Sequence, residues 1–151
     1  FLINTNHMIP IKLLMHINSP KEEVFQALTE ADKLSKWYTT SVSGEFNLDE
    51  IIAIEFINFA EFKFKVISLT HNESVHLEVV ESKFDNVGHI MKYDLDENDG
   101  KTRVRYTYEG FSDMDDSYAN MNYSSAKYLE SLRQYCQTGN GEAFGSSNYR
   151  A

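Results

Sequence analysis

The stretch DDSYANMNYSSAKYLESLRQYCQ, residues 115–137, predicts one long amphipathic helix. Apolar and small side chains recur at intervals of three and four residues, which places them on one face of a helix. That face consists of Tyr118, Met121, Ser125, Tyr128, Leu129, Leu132 and Cys136. The opposite face carries polar side chains, among them Lys127, Glu130 and Gln134. A helix of this length needs a large apolar surface to pack against, and the rest of the chain must supply it.

Both ends of this helix carry recognisable signals. Asp115 and Asp116 place negative charge at the amino-terminal, positive end of the helix dipole. Gly139 follows the last periodic residue and is typical of a helix carboxyl terminus. The sequence therefore predicts a helix that begins at Asp115 and ends near Gln137.

Most of the remaining chain alternates between apolar and polar residues, which indicates β-strands. The predicted strands are residues 9–17, 40–46, 51–57, 60–69, 74–80, 86–95 and 103–111. Short links join them, and the Asp99-Gly100 pair between the last two is a strong hairpin signal. One apolar face per strand with short links predicts an antiparallel sheet that is wet on one side.

Two short helices are predicted between the first and second strands, over residues 20–28 and 30–37. With the sheet and the long helix, they define an α+β protein. We expect a curved antiparallel sheet of six or seven strands around the carboxyl-terminal helix, and one domain over residues 1–151 with its core at about 9–144.

Four segments carry a resemblance to a known family. They are SPKEEVFQALTEADKLSKWYT (19–39), GHIMKYDL (88–95), TRVRYTYEGF (102–111) and NYSSAKYLESLRQYCQTGNGEAF (122–144). The chain resembles the START-like, birch-pollen-allergen-like (SRPBCC) helix-grip superfamily. Within it, the chain looks like the AHSA-type branch, named after the activators of the heat-shock chaperone ATPase. The Thr-Gly-x-Gly-Glu run after the helix is the most specific feature of this resemblance.

Four positions depart from the pattern of that branch. Similar sequences often have Trp at Ser125, Trp at Asn86, Thr at His89 and His at Tyr108. We place Ser125, His89 and Tyr108 on inward faces of the predicted elements. Replacing tryptophan by serine on such a face removes a large volume, which either neighbouring side chains fill or a cavity occupies.

The resemblance implies a pocket between the sheet and the long helix. The candidate ligand-binding residues are Trp37, Phe64, His89, Met91, Tyr93, Tyr106, Tyr108, Tyr118, Met121, Ser125 and Tyr128. The tyrosines suit an apolar or aromatic ligand, or they form an aromatic core. His89 is either a polar anchor or general base, or a histidine bonded to a neighbouring tyrosine. Trp37 either gates the pocket or packs the short helices onto the sheet.

Composition narrows the classes of partner. The net charge is −9 and the pI is about 4.9, which argues against nucleic acid and anionic membranes as partners. One cysteine excludes an internal disulfide, and the histidine spacings suggest no metal site. We expect no cofactor, no membrane span, no signal peptide and a cytoplasmic location. The sequence leaves open whether the protein is a monomer or a homodimer.

Three functions are compatible with these residues. The leading hypothesis is a non-enzymatic protein that binds a small hydrophobic ligand between sheet and helix. The alternatives are an interaction module for a chaperone or another protein, and a cyclase- or hydrolase-like enzyme that uses His89 and the tyrosines. A void of several hundred Å³ would favour the binding protein, and a solid core would favour the interaction module.

Overall fold

A computed structural model describes residues 8–150. The chain forms a seven-stranded antiparallel sheet in the order β1-β7-β6-β5-β4-β3-β2, two short helices after the first strand, and a long helix after the last. The elements are β1 (Ile11–Ile17), α1 (Lys21–Thr29), α2 (Ala31–Trp37), β2 (Ser41–Ser43), β3 (Ile51–Phe56), β4 (Ala60–Thr70), β5 (Ser74–Glu81), β6 (Ile90–Asn98), β7 (Lys101–Glu109) and α3 (Asp116–Thr138). This confirms the predicted α+β helix-grip architecture.

The two faces of the sheet differ in the way the alternation predicted. The inner face buries apolar residues such as Ile54, Val66, Leu77 and Val104. On the outer face, paired charges line neighbouring strands, including a bidentate contact from Arg103 to Asp96. Irregular pairing of β4 with β5 shifts the register twice along β4, and such bulges bend a sheet.

The ends of α3 are held by the residues that mark them in the sequence. The Asp115 side chain accepts a hydrogen bond from the Tyr118 backbone N–H at 3.0 Å, which satisfies one unpaired donor of the first turn. Gly139 ends the helix in the left-handed conformation with φ of 85°, which favours glycine because it has no Cβ. Both predicted end signals are therefore confirmed.

Strand β6 begins later than the alternation predicted. The pattern indicated a strand over residues 86–95, but Asn86 to His89 form a turn in which the His89 N–H donates to the Asn86 carbonyl. Gly88 occupies this turn with φ of 94°. The placement of His89 and Val87 on the inward strand face was therefore wrong, and Val87 is exposed.

The long helix lies close to some elements of the fold and away from others. Its backbone comes close to β1, α1 and α2, and among the described strands it stands away from β2 to β7. Leu129, Ser131 and Leu132 are buried in the second half of α3. Met121, Ser124, Ser125 and Tyr128 of α3 line a gap between the helix and the sheet.

Leu132→Ala tests whether the second half of α3 anchors the helix. Leu132 is fully buried, so truncation should lower the free energy of unfolding by about 2–5 kcal/mol. Urea denaturation measures this loss. Asn120→Ala on the exposed face of the same helix is the control and should change stability by less than about 0.5 kcal/mol. A similarly small loss for Leu132→Ala would show that the helix docks through another face.

Candidate functional site

A cavity of about 380 Å³ lies between the first half of α3 and the inner face of the sheet. The sheet supplies Phe56 from β3, Phe62 and Phe64 from β4, Val79 from β5, Met91 and Tyr93 from β6, and Tyr106 and Tyr108 from β7. The helix supplies Met121, Ser124, Ser125 and Tyr128. Loops and the carboxyl-terminal segment add Tyr38, Phe59, Asn86, Phe144 and Tyr149. No charged side chain lines this cavity among the described residues.

Eight of the eleven predicted ligand-binding residues line the cavity. They are Phe64, Met91, Tyr93, Tyr106, Tyr108, Met121, Ser125 and Tyr128. They meet because inward positions of β4, β6 and β7 share one face of the sheet, and because Met121, Ser125 and Tyr128 lie three and four residues apart on α3. The other three predicted residues, Trp37, His89 and Tyr118, lie outside the lining.

Trp37 packs the short helices together instead of bordering the cavity. Its side chain is fully buried, and the indole N–H donates to the Ala27 carbonyl at 2.8 Å. Ala27 lies in the last turn of α1, where carbonyls lack a helical partner. Of the two interpretations of Trp37, this geometry favours packing.

His89 lies directly behind a cavity residue. Its Nδ1 is 3.0 Å from the Tyr108 hydroxyl, and its ring packs edge-on against Phe111. The ring also covers Gly110, where a Cβ would lie only 2.2 Å from it. Burial lowers the pKa of His89, although Asp85 acts in the opposite direction, so the neutral ring is favoured. His89 is therefore the tyrosine-bonded histidine of the second interpretation.

Tyr118 lies beside the cavity rather than on it. Its ring packs edge-on against Phe111, and its hydroxyl donates to the Pro10 carbonyl at 3.3 Å. This contact joins the start of α3 to the residues before β1. The tyrosine faces inward as the periodicity predicted, but it lies about one helical turn before Met121, the first residue of α3 that lines the cavity.

The buried phenols of the cavity are neutral groups. Ser125 donates to the Tyr106 hydroxyl at 2.8 Å, and the Tyr93 hydroxyl lies 3.7 Å from the Met91 sulfur. Burial raises the pKa of Tyr93 and Tyr106, and it raises the pKa of Tyr108 to about 12. The cavity is thus apolar and uncharged, with a few hydroxyl groups fixed on its wall.

The sequence-based prediction missed nine lining residues, and only some could have been found. Phe62 shares the inward face of its strand with Phe64, so alternation indicated it. Phe144 and Tyr149 come after α3 and carry no periodic signal. They reach the cavity because the segment after Gly139 folds back, with Phe144 bridging to Thr39. Asn86 reaches it through the turn that replaces the first predicted residues of β6.

Comparison with known proteins identifies the family. The profile described as "Activator of Hsp90 ATPase homolog 1-like protein" matches residues 18–137. The chain therefore belongs to this family, which confirms the resemblance of the four sequence segments. No curated protein sequence matches the chain.

Solved structures show the same fold. The Aha1 dimer from Colwellia psychrerythraea is 28% identical, with 88% of this chain and 99% of that chain covered and a TM-score of 0.82. SSP2350 from Staphylococcus saprophyticus is 18% identical, with 88% and 95% covered and a TM-score of 0.75. DynU16, from the dynemicin biosynthetic locus, is 13% identical with a TM-score of 0.78. The match spans 93% of this chain but 51% of DynU16.

Two kinds of feature are absent from residues 8–150. No helix within residues 8–150 is both long and apolar enough to cross a membrane. In the same range, histidine, cysteine and acidic side chains form no group of three or more that could hold a metal ion.

Trp37→Phe separates packing from ligand binding. Loss of the indole N–H leaves the buried Ala27 carbonyl without its partner, so the free energy of unfolding should fall by about 1–3 kcal/mol. The affinity for an apolar probe should stay within about twofold, because Trp37 does not line the cavity. Chemical denaturation and fluorescence titration measure the two effects. Unchanged stability with weakened probe binding would instead make Trp37 a gate.

Proposed function

We propose that this protein binds a small, uncharged, largely apolar ligand in the cavity between α3 and the sheet. The observation that carries the proposal is the cavity itself, about 380 Å³ in volume and lined mainly by aromatic rings. Ligand sites in proteins typically enclose roughly 300–1,000 Å³, with apolar walls and a few polar groups. A core built only for stability would be close-packed, because empty space between side chains is destabilising.

The wall chemistry supports a neutral ligand. A charged group moved from water into this cavity would lose its hydration and find no opposite charge in the lining. An apolar ring system would instead gain about 25 cal/mol for each Å² removed from water. The hydroxyls of Tyr106, Tyr108 and Ser125 can orient such a ligand but cannot neutralise an ion.

We infer that the cavity opens between the β3–β4 turn and the β5–β6 loop. Phe59 in the turn lines the cavity and is also 56% exposed, so it reaches from the wall to the surface. Phe84 from the loop stacks against Phe62 and lies beside Phe59. Lys83 ties the loop to the turn, since its ammonium donates to the Phe59 carbonyl at 2.6 Å and lies over both exposed rings. These loops are the parts that a ligand must pass.

The same exposed rings are the observation that favours a second candidate, an interaction module. Phe59, Phe84 and Val87 are each more than 40% exposed on adjacent loops. Aromatic side chains are enriched at protein interfaces. The relative from Colwellia psychrerythraea is a dimer, so a second copy is one candidate partner and a chaperone is another. The enzyme alternative relied on His89 inside the cavity, and His89 lies behind Tyr108 instead.

Ser125→Trp tests the binding function. Ser125 lines the cavity, so an indole at this position should project into empty space. The variant should fold, with a loss of about 0.5–1.5 kcal/mol for the bond to Tyr106. The dissociation constant for the neutral fluorescent probe N-phenyl-1-naphthylamine should rise at least about tenfold, equivalent to ~1.4 kcal/mol. Fluorescence titration and thermal unfolding measure the two effects.

Two controls isolate the filling of the cavity. Ser125→Ala removes the same hydrogen bond without adding volume, and it should bind the probe nearly as well as the parent protein. Ala126→Trp adds an indole at the next, exposed position of α3 and should change neither binding nor stability. If the parent protein does not bind the probe and Ser125→Trp loses about 1–3 kcal/mol from overpacking, the space is not a ligand site.

A further inference from the structure

One part of the cavity wall differs from the others because a histidine lies behind it. Tyr108 lines the cavity with only 2% of its surface exposed, and its hydroxyl is 3.0 Å from His89 Nδ1. Asn86 lines the same region, and its Oδ1 is buried without a hydrogen-bond partner among the described residues. Its amide also lies close enough to the Tyr108 hydroxyl to lower the pKa of Tyr108, against the larger effect of burial. Two polar residues of the apolar wall, Tyr108 and Asn86, therefore lie together, with His89 behind Tyr108.

The site around Tyr108 has more hydrogen-bond acceptors than donors. A neutral imidazole has one nitrogen that donates and one that accepts, and a phenol has one proton to give. When His89 Nδ1 accepts the phenol proton, the Tyr108 oxygen has only lone pairs left to offer. The Asn86 Nδ2 group faces the Tyr108 oxygen and can donate to one of its lone pairs, but the Asn86 Oδ1 is an acceptor without a partner among the described residues. A buried acceptor without a partner is destabilising and calls for a donor from elsewhere.

We propose that Tyr108, oriented by His89, selects the ligand, and that the cavity takes ring compounds carrying a neutral hydrogen-bond donor such as a hydroxyl or N–H group. In this arrangement the ligand donates to the Tyr108 oxygen, with Asn86 Oδ1 as the neighbouring acceptor. Tyr108 is the specificity-determining residue and His89 is a positioning residue, since it acts through Tyr108. This inference rests on the proposed binding function and adds to it that the ligand carries a hydrogen-bond donor.

The other hydroxyls of the cavity do not require a hydrogen-bond donor on the ligand. Ser125 and Tyr106 form a pair of two hydroxyls 2.8 Å apart, and such a pair can reverse its donor and acceptor. The Tyr93 hydroxyl is directed at the Met91 sulfur. Only the Tyr108 hydroxyl, among the phenols of the described lining, has a ring nitrogen as its partner.

Three naphthalenes of similar shape test the proposal. 2-Naphthol donates and accepts hydrogen bonds, 2-methoxynaphthalene only accepts, and 2-methylnaphthalene does neither. Calorimetric titration at pH 7.5 should show that 2-naphthol binds about three- to tenfold more tightly than each of the others, the range expected for one net hydrogen bond. Binding of 2-methylnaphthalene reports the apolar cavity alone.

Variants then assign this preference to residues. Tyr108→Phe should abolish the preference, so that 2-naphthol and 2-methylnaphthalene bind this variant with similar affinity. Tyr118→Phe is the control, because Tyr118 lies beside the cavity and outside its lining, and it should keep the preference. His89→Leu frees the Tyr108 proton to point into the cavity, so it should shift the preference toward 2-methoxynaphthalene. His89→Asn restores an acceptor near the position of Nδ1 and should restore the preference for 2-naphthol.

A measurement on the unmodified protein keeps the test independent of variant folding. Nitrogen-15 NMR of the histidine rings should show His89 Nδ1 unprotonated at pH 7.5. A protonated Nδ1 would overturn the proposed role of Tyr108, and so would an unchanged preference for 2-naphthol in Tyr108→Phe. In either case, binding of 2-methylnaphthalene to the parent protein would still support the proposed binding function. If none of the three naphthalenes binds, the proposed function fails and this inference fails with it.

Discussion

The fold depends on the junction that holds the second half of α3 against α2. The Ser131 hydroxyl donates to the Trp37 carbonyl at 2.7 Å and accepts from the Glu142 backbone N–H at 2.7 Å. One buried hydroxyl thereby joins the long helix, the end of α2 and the segment after α3. Gly141 completes the junction, because a Cβ there would lie 2.7 Å from the Lys36 carbonyl oxygen. Leu129 and Leu132, in the same half of α3, are part of the hydrophobic core.

This junction fixes the end of a helix whose earlier residues line the cavity. The backbone of α3 lies near β1 and the short helices and stands away from the central strands. Closing the gap would require large side chains on α3, but Ser124 and Ser125 face it. Three of the four positions that depart from the AHSA-type pattern, Asn86, Tyr108 and Ser125, line the cavity, and the fourth, His89, is bonded to one of them.

Periodicity was enough to predict the fold and much of the site, because inward positions on strands and helices recur at fixed intervals. That rule correctly placed Met91, Tyr93, Tyr106 and Tyr108 together on the inner face of the sheet. It failed where the backbone leaves the repeat. His89 continues an alternating pattern, but Gly88 turns the chain before it. Ser131 lies off the apolar stripe. Its role comes from the carbonyl at the end of α2 and a backbone N–H after α3, and no spacing rule encodes these contacts.

The central claim is that the space beneath the first half of α3 admits a ligand, and methionine methyl NMR tests it directly. Met91 and Met121 line the cavity, whereas Met8 and Met114 are more than half exposed to solvent and serve as internal controls. On titration with 2-methylnaphthalene, the methyl signals of Met91 and Met121 should shift and saturate while those of Met8 and Met114 stay in place. Unmoved signals from Met91 and Met121, or uniform small shifts of all four, would contradict the account.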